Sequence, residues 1–201
     1  MSEWLNIAVE DTVSEEVIRR LVRDYRPDAR INHCYGRTGY GLLRKRILNW
    51  NIAASRLPFL VLTDLDKAAC APSLIREWLP QGVHPNLLLR VAVREIESWI
   101  LADYQGWSIF LGLNPTPLSM DVEELGDAKA ALLKTVKKSR RSLRADLLPQ
   151  KGTSARVGPN YNGRIIEFVA SHWQPEQARQ RAASLDRTIR ALQRFKPTLP
   201  S

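Results

Sequence analysis

Short apolar runs alternate with amphipathic segments over the first half of the chain. Each run is rich in aliphatic and β-branched residues, which is typical of strands buried in a parallel sheet. The runs are 5–9, 29–35, 59–62 and 86–93. The segments between them place apolar residues at helical spacing, and we expect those helices at 14–25, 40–56 and 72–78. Because strands that alternate with helices form βαβ units, this pattern predicts an α/β fold with a mainly parallel, four-stranded sheet.

The second half of the chain shows a different pattern, in which stretches with apolar residues at helical spacing are separated by segments that contain proline and glycine. The predicted helices are 126–146, 161–173 and 175–195, and the predicted loops are 104–125, with a helical turn at 108–113, and 149–159. We therefore predict two domains. An α/β domain covers 1–103, and a basic, mainly helical extension covers 104–201.

Acidic side chains follow three of the four predicted strands. Glu10 follows the first strand, Asp64 and Asp66 follow the third, and Glu95 and Glu97 follow the fourth. The carboxyl ends of parallel strands meet at one edge of a sheet, where open α/β sheets bind their ligands. Alternate residues of a strand point the same way, so Asp64 and Asp66 are expected to project together. In a helix after the fourth strand, Glu95 and Glu97 lie on different faces and are alternatives.

Neighbouring carboxylates repel, and each raises the pKa of the other unless a cation lies between them. Hard ions such as Mg²⁺ prefer oxygen ligands of this kind, and Mn²⁺ accepts the same ligands. The convergence of acidic residues from three strands therefore predicts a metal site. A second interpretation remains open for the aspartates alone, in which Asp64 caps the next helix and Asp66 is solvated.

Positive charge is concentrated in the second half of the chain. The formal net charge is +9, with 14 basic and 13 acidic residues in 1–103 against 16 and 8 in 104–201. Such asymmetry favours a polyanionic partner, most simply nucleic acid, although a solvated basic surface would have the same composition. The residues that we expect to contact phosphates are Lys137, Lys138, Arg140, Arg141, Arg144, Lys151 and Arg156.

Several of these features together resemble a known family. Glu10 after the first strand and Asp64-x-Asp66 after the third resemble the Toprim fold, a Rossmann-like domain that is the catalytic core of topoisomerases, bacterial primases and OLD-family nucleases. The fuller pattern resembles a bacterial Toprim-like family of unknown function. Its matching segments are 9–11, 14–16, 63–66, 93–103, 158–162 and 183–187. The string from Arg94 to Trp99 is the most specific of them.

The resemblance implies a phosphoryl-transfer site that depends on Mg²⁺ or Mn²⁺, as in a nuclease. In that site Glu10 would be a general acid/base or a metal ligand, and Asp64 and Asp66 would be metal ligands. Glu95 or Glu97 would complete a second metal position. The resemblance also implies an ATPase partner in a bacterial defence-type system. The alternative is a non-catalytic module that binds nucleic acid or that ATPase and retains a vestigial Toprim site.

Other features narrow the class of protein. No apolar run approaches the roughly 20 residues that span a bilayer, and residues 1–4 lack the pattern of a signal peptide. We therefore expect a cytoplasmic protein without membrane contact. Trp99, Trp107 and Trp173 are expected in the core, and Cys70 is expected to be a small buried hydrophobe.

Overall fold

The structure is a computed structural model, and it describes residues 3–117 and 121–198. Met1 and Ser2 of the N-terminal segment, and residues 118–120 of the predicted loop at 104–125, lie outside the described residues. The chain divides into two compact units. Unit 1 contains Met1–Val93 and Ser184–Ser201, and unit 2 contains Arg94–Ala183. These limits differ from the predicted boundary at 103/104, and that domain boundary stays a prediction.

The centre of unit 1 is a four-stranded sheet with the order β2-β1-β3-β4. The strands are β1 (Glu3–Val9), β2 (Ala29–Gly36), β3 (Phe59–Asp64) and β4 (Leu87–Ala92). Every pair of neighbouring strands is parallel. The predicted α/β fold class is therefore confirmed, and the sheet is wholly parallel. All four strands consequently end at the same edge, which we call the carboxyl edge.

Ten helices are formed within the described residues. They are α1 (Thr12–Tyr25), α2 (Tyr40–Ala53), α3 (Ala71–Trp78), α4 (Ile96–Ala102), α5 (Tyr104–Leu111), α6 (Ala128–Val136), α7 (Arg141–Leu147), α8 (Tyr161–Ser171), α9 (Pro175–Ala178) and α10 (Ala183–Arg194). None of these helices is both long and apolar enough to cross a membrane.

Helix α1 begins at Thr12, two residues before the predicted start at 14. Its N-cap is Asp11, whose Oδ1 accepts a hydrogen bond of 2.7 Å from the backbone N of Ser14, so Ser14 is inside the helix and does not cap it. An ionised carboxylate at this position also complements the positive end of the helix dipole. Asp11, which directly follows Glu10, is therefore held at the start of α1.

Apolar burial in unit 1 follows helical spacing closely. In α1 the residues Val17, Ile18, Leu21 and Val22 are buried. In α2 the buried residues are Leu43, Ile47 and Trp50, whereas Leu48 and Ile52 are exposed. Cys70 is also exposed, because it is the N-cap residue of α3 rather than part of its inner face.

Unit 2 is helical and is built around aromatic side chains. Trp99, Trp107 and Trp173 are buried, as predicted. The indole N–H groups are satisfied, since Trp173 Nε1 donates to Trp99 O at 3.2 Å and Trp107 Nε1 donates to Thr135 Oγ1 at 2.9 Å. Phe168 packs edge-on against Trp107 with ring centroids 5.0 Å apart. Burying these large rings is the main source of stability for this unit.

Three predicted segments of the second half differ from the structure. Residues 104–111 form α5, a helix of two turns rather than a loop. The predicted helix over 126–146 is divided into α6 and α7 around Ser139, which is buried and whose carbonyl accepts a 2.7 Å hydrogen bond from Arg144 Nη1. The segment 175–195 is divided into α9 and α10.

Candidate metal centre at the carboxyl edge

Glu10 lies at the carboxyl edge, immediately after β1. The register of the sheet pairs Val9 with Leu62, so Glu10 faces the last two residues of β3. Its Oε1 accepts hydrogen bonds from Thr63 Oγ1 at 2.5 Å and from the backbone N of Asp64 at 2.9 Å. Its Oε2 accepts no hydrogen bond from the residues described. The carboxylate of Glu10 is therefore held across the ends of two strands by one oxygen, and the other oxygen remains for a ligand.

Asp64 and Asp66 flank a fixed point of the chain. Between them, the backbone N of Leu65 donates to Ala92 O of β4 at 2.8 Å, and the Leu65 side chain is buried. β3 ends at Asp64, and Asp66 has φ of +48°, in the left-handed region. Strand alternation therefore does not extend to Asp66. A positive φ at a residue other than glycine is unusual and is concentrated at functional sites.

The alternative in which Asp64 caps the following helix does not occur. Helix α3 begins at Ala71, and its N-cap is Cys70, six residues beyond Asp64. Asp64 is half-buried at the end of its strand, and Asp66 is exposed. Neither aspartate is thus committed to helix α3.

Burial dominates the electrostatics of Glu10, and the neighbouring charges that act on it are negative. Burial is the main cause that raises the pKa of Glu10, and the negative charges of Asp66 and Asp11 raise it further. The hydrogen bonds from Thr63 and Asp64 act in the opposite direction but do not cancel the rise. The edge therefore concentrates negative charge around a partly desolvated carboxyl group, which a divalent cation would relieve.

These residues fit Mg²⁺ or Mn²⁺ in a particular way. Within 3–117 and 121–198, no group of three or more His, Cys, Asp or Glu side chains is placed to hold a metal ion. Mg²⁺, however, usually keeps several waters and binds through one or two carboxylates together with substrate phosphates. The free Oε2 of Glu10 and the neighbouring aspartates match that mode of binding rather than a cage made of protein ligands alone.

Glu95 and Glu97 belong to unit 2, so their predicted convergence with Glu10, Asp64 and Asp66 stays a prediction. Glu97 is buried, and its Oε1 accepts a 2.9 Å hydrogen bond from Tyr161 Oη and forms an ion pair of 3.1 Å with Lys129 Nζ. Burial raises the pKa of Glu97, and the ammonium of Lys129 opposes that rise.

Glu95 has a different set of contacts within the same unit. It is the N-cap residue of α4, and its Oε2 accepts a 3.0 Å hydrogen bond from the backbone N of Lys129 in the first turn of α6. Glu95 therefore joins the beginnings of two helices. Both glutamates thus have partners inside unit 2, and Glu97 differs from Glu10 in that one of its partners is a cation, the ammonium of Lys129.

The basic residues predicted to bind nucleic acid are all exposed, and all lie in unit 2. Lys137, Lys138 and Arg140 occupy the turn between α6 and α7, and Arg141 and Arg144 lie on α7. The loop after α7 carries Lys151 and Arg156, and Arg156 Nη2 forms an ion pair of 2.9 Å with Asp127. The base of this loop is closed by two hydrogen bonds, from Gly158 N to Leu147 O and from Asn160 N to Asp146 O.

Thr63 is a residue of the site that sequence reasoning did not identify. Its hydroxyl donates to Glu10 and orients the carboxylate. The signal was a threonine at the end of an otherwise aliphatic strand, next to Asp64. A β-branched threonine is ordinary in a strand, however, and its hydroxyl acquires a role only when Glu10 is brought opposite it.

Comparisons with known proteins give limited information. No family model matches the chain, and no curated protein matches it. Among solved structures, the chain is similar to the C-terminal region of the Burkholderia pseudomallei OLD protein, with 15% sequence identity, 92% of this chain and 98% of that chain covered, and a TM-score of 0.43.

Proposed function

We propose that the protein is a nuclease that hydrolyses phosphodiester bonds of DNA or RNA with Mg²⁺ or Mn²⁺ bound at the carboxyl edge. The observation that carries this proposal is the state of Glu10. One of its oxygens is held by Thr63 and Asp64, its pKa is raised by burial, and the nearest charges that act on it are negative. A cation held between Glu10, Asp64 and Asp66 would relieve that repulsion.

In this proposal the residues of the chain have separate tasks. One or two of the carboxylates of Glu10, Asp64 and Asp66 would hold the cation together with substrate phosphates. Thr63 keeps Glu10 Oε1 in place. Where Glu10 acts as the general acid/base instead of as a metal ligand, its Oε2 would take a proton from the attacking water. Bound Mg²⁺ supplies a Lewis acid for the phosphate oxygens. The water oxygen then bonds to phosphorus, the bond to the leaving oxygen breaks, and that oxygen takes up a proton.

The second part of the proposal concerns binding of the substrate. The exposed basic residues predicted to bind nucleic acid lie on α7, in the turn before it and in the loop after it. Lysine and arginine contacts to phosphates supply most of the affinity for nucleic acid that is independent of sequence. We assign them to binding, not to chemistry. An ATPase partner and a role in defence remain part of the proposal through the Toprim resemblance alone.

The test is a cleavage assay on plasmid and single-stranded DNA, and on RNA, with Mg²⁺ or Mn²⁺. It compares the wild type with an Asp64→Asn, Asp66→Asn variant. The matched control is a double variant that carries both Asp24→Asn and Glu77→Gln, and it removes two exposed carboxylates from the same unit. We expect cleavage by the wild type and the control, and none by the aspartate variant. Equal cleavage by all three proteins would refute the proposal.

A non-catalytic module is the second candidate, and the lack of a three-ligand acidic group among the described residues favours it. The same incubations distinguish the two functions, because binding is followed by gel shift in parallel. If every protein shifts DNA and none cleaves it at any concentration of either metal, the non-catalytic function is correct.

A further inference from the structure

The loop from Gly36 to Gly39, between β2 and α2, folds directly onto the backbone of Glu10. Arg37 N donates to Val9 O, and Gly39 N donates to Glu10 O, both at 2.9 Å. A side chain at Gly36 would place its Cβ 2.1 Å from Val9 O, so only glycine permits this close approach. The loop therefore holds the main chain at the point where β1 ends and Glu10 begins.

Arg37 adopts a conformation that needs support from its surroundings. Its φ is +67°, in the left-handed region, which is unfavourable for residues with a side chain beyond Cβ. Its guanidinium forms a two-point contact with Glu15, with Nε 2.5 Å from Oε2 and Nη2 2.9 Å from Oε1. A bidentate arginine–carboxylate pair combines charge with fixed geometry, and here it offsets the cost of the backbone conformation.

Glu15 is well placed to fix the loop. Its side chain is 12% exposed, and it also accepts hydrogen bonds from Arg19 one turn further along α1. Burial acts to raise the pKa of Glu15, but the hydrogen bonds from Arg37 and Arg19 outweigh it, so the pKa lies below its ordinary value. Glu15 is therefore ionised at neutral pH and remains a partner for Arg37.

Cys34 lies beside this pair and interacts with both Glu15 and Arg37. Burial, followed by the charge of Glu15, raises the pKa of the Cys34 thiol, so it stays neutral at pH 7. The pair of Glu15 and Arg37 consequently joins two elements on either side of Glu10. Glu15 belongs to α1, which begins directly after the Asp11 cap, and Arg37 belongs to the loop that binds Glu10 O.

We propose that Glu15 and Arg37 form a latch that positions Glu10 for metal binding and catalysis. Neither residue acts on the substrate in this proposal; both are positioning residues. When the latch is broken, the loop loses the contact that offsets its strained conformation, and Gly39 N separates from Glu10 O more often. The inference extends the proposed function, since it names residues that prepare the same site, and its structural part is tested independently of cleavage.

The experiment uses the full chain and four variants. Arg37→Ala removes one side of the latch, Glu15→Gln removes the charge of the other side with little change in shape, and the third variant combines both. Arg44→Ala is the matched control, because it breaks another ion pair of unit 1, between Arg44 and Glu77 at 2.7 Å. Amide hydrogen exchange of Gly39 is measured by NMR without metal or DNA.

The latch predicts a particular pattern of exchange. The Gly39 amide should exchange roughly three to ten times faster in each single variant than in the wild type. It should exchange no faster in the double variant than in either single variant, because the two residues act as one unit. In Arg44→Ala, the Gly39 amide should exchange at the rate of the wild type. Unchanged exchange in Arg37→Ala, or an additive effect in the double variant, would overturn the latch, and so would faster exchange in Arg44→Ala.

A second measurement connects the latch to the site. We expect the kcat for DNA cleavage to fall about tenfold in Arg37→Ala and Glu15→Gln with unchanged KM for DNA, since only the positioning of Glu10 is lost. A change confined to KM would overturn the positioning role. If the wild type shows no metal-dependent cleavage, the proposed function fails, and the exchange rates still decide whether the latch exists.

Discussion

Two glutamates, half-buried Glu10 in unit 1 and buried Glu97 in unit 2, differ in the charged groups that surround their carboxylates. Burial raises the pKa of both. Glu97 has a cation of the protein at 3.1 Å, the ammonium of Lys129, and a tyrosine hydroxyl as a second partner. In both glutamates the hydrogen-bond donors among the described residues reach Oε1 alone, and Glu97 Oε2 is buried without a hydrogen-bond partner among those residues. Glu10 differs from Glu97 in the charges beside it, because the negative charges of Asp66 and Asp11 raise its pKa.

The difference teaches that burial alone does not identify a metal ligand. A carboxylate that already has an internal cation is explained by the fold, as Glu97 is. A carboxylate that is desolvated beside other acids costs stability, and a cation from solution would offset that cost. On this comparison we expect Glu10 to act in the chemistry and Glu97 to act in the stability of unit 2.

The largest expected effect is on cleavage by a Glu10→Gln variant. Glutamine keeps an oxygen that accepts from Thr63 and Asp64, but it can neither take a proton nor bind a divalent ion with full charge. We expect kcat to fall roughly 10²- to 10⁴-fold. Glu97→Gln should reduce kcat by less than about tenfold, and Glu124→Gln, which changes an exposed glutamate, serves as the control. Equal losses at Glu10 and Glu97 would break the comparison.

The next effect is on stability, and it concerns Glu97. Glu97→Ala removes the carboxylate that the hydroxyl of Tyr161 and the ammonium of Lys129 contact, and it opens a cavity. We expect a loss of about 2–4 kcal/mol in the free energy of unfolding. Urea denaturation followed by tryptophan fluorescence measures it, because Trp99 and Trp173 are buried in the same unit. A Glu124→Ala control should lose almost nothing. If Glu97→Ala is equally harmless, Glu97 is not a structural residue.

A smaller effect is the pH dependence that Glu10 contributes. Because the folded-state pKa of Glu10 is raised above its ordinary value, the folded protein binds more protons than the unfolded chain between those two values. Stability therefore falls as pH rises through that window. At a pH above the raised pKa, we expect Glu10→Gln to melt at a higher temperature than the wild type. At a pH below the ordinary pKa, the two melting temperatures should be nearly equal.

Thermal melts between pH 4 and pH 8 measure this difference between the two proteins. Added Mg²⁺ should raise the melting temperature of the wild type at pH 8 and leave that of Glu10→Gln almost unchanged, since a ligand stabilises the state that binds it. A Glu10→Gln variant that melts below the wild type at every pH would contradict the electrostatic account of Glu10.

The smallest expected effects are on binding of nucleic acid. Lys137→Gln and Arg141→Gln should each weaken binding of DNA and reduce the slope of log affinity against log salt by about one, with little change in kcat. Lys45→Gln, an exposed lysine of unit 1, is the matched control. Fluorescence anisotropy with a labelled oligonucleotide at several salt concentrations measures the slope. An equal change in Lys45→Gln would mean that DNA binding depends on the net charge of the protein and not on the basic residues of unit 2.

Much of unit 1 was predictable from sequence because its strands are continuous aliphatic runs. The run that includes Val61 is buried on both faces, so no periodicity had to be resolved, and the acidic residues follow directly. The helices of unit 2 were harder to delimit. The segment around Ser139 contains neither glycine nor proline, and α6 ends there because tertiary contacts bury Ser139.

The details of the candidate site could not be predicted from the sequence, because they too depend on tertiary contacts. Asp66 adopts a positive φ, which no local pattern requires, so the expected strand alternation does not hold there. The contacts of Thr63 and Arg37 connect residues that are 53 and 22 positions from their partners. Contacts of this kind are set by the topology of the sheet, and the local pattern of residues does not encode them.

The most direct test of the central claim is a Mn²⁺ titration of the full chain, followed by electron paramagnetic resonance, in wild type, Glu10→Gln and a Glu77→Gln control. The account predicts binding of Mn²⁺ to the wild type and the control, with affinity at least about tenfold weaker in Glu10→Gln. It also predicts tighter binding to the wild type when a DNA oligonucleotide supplies phosphate oxygens. Equal affinity for Mn²⁺ in all three proteins, with or without DNA, would contradict a metal centre at Glu10.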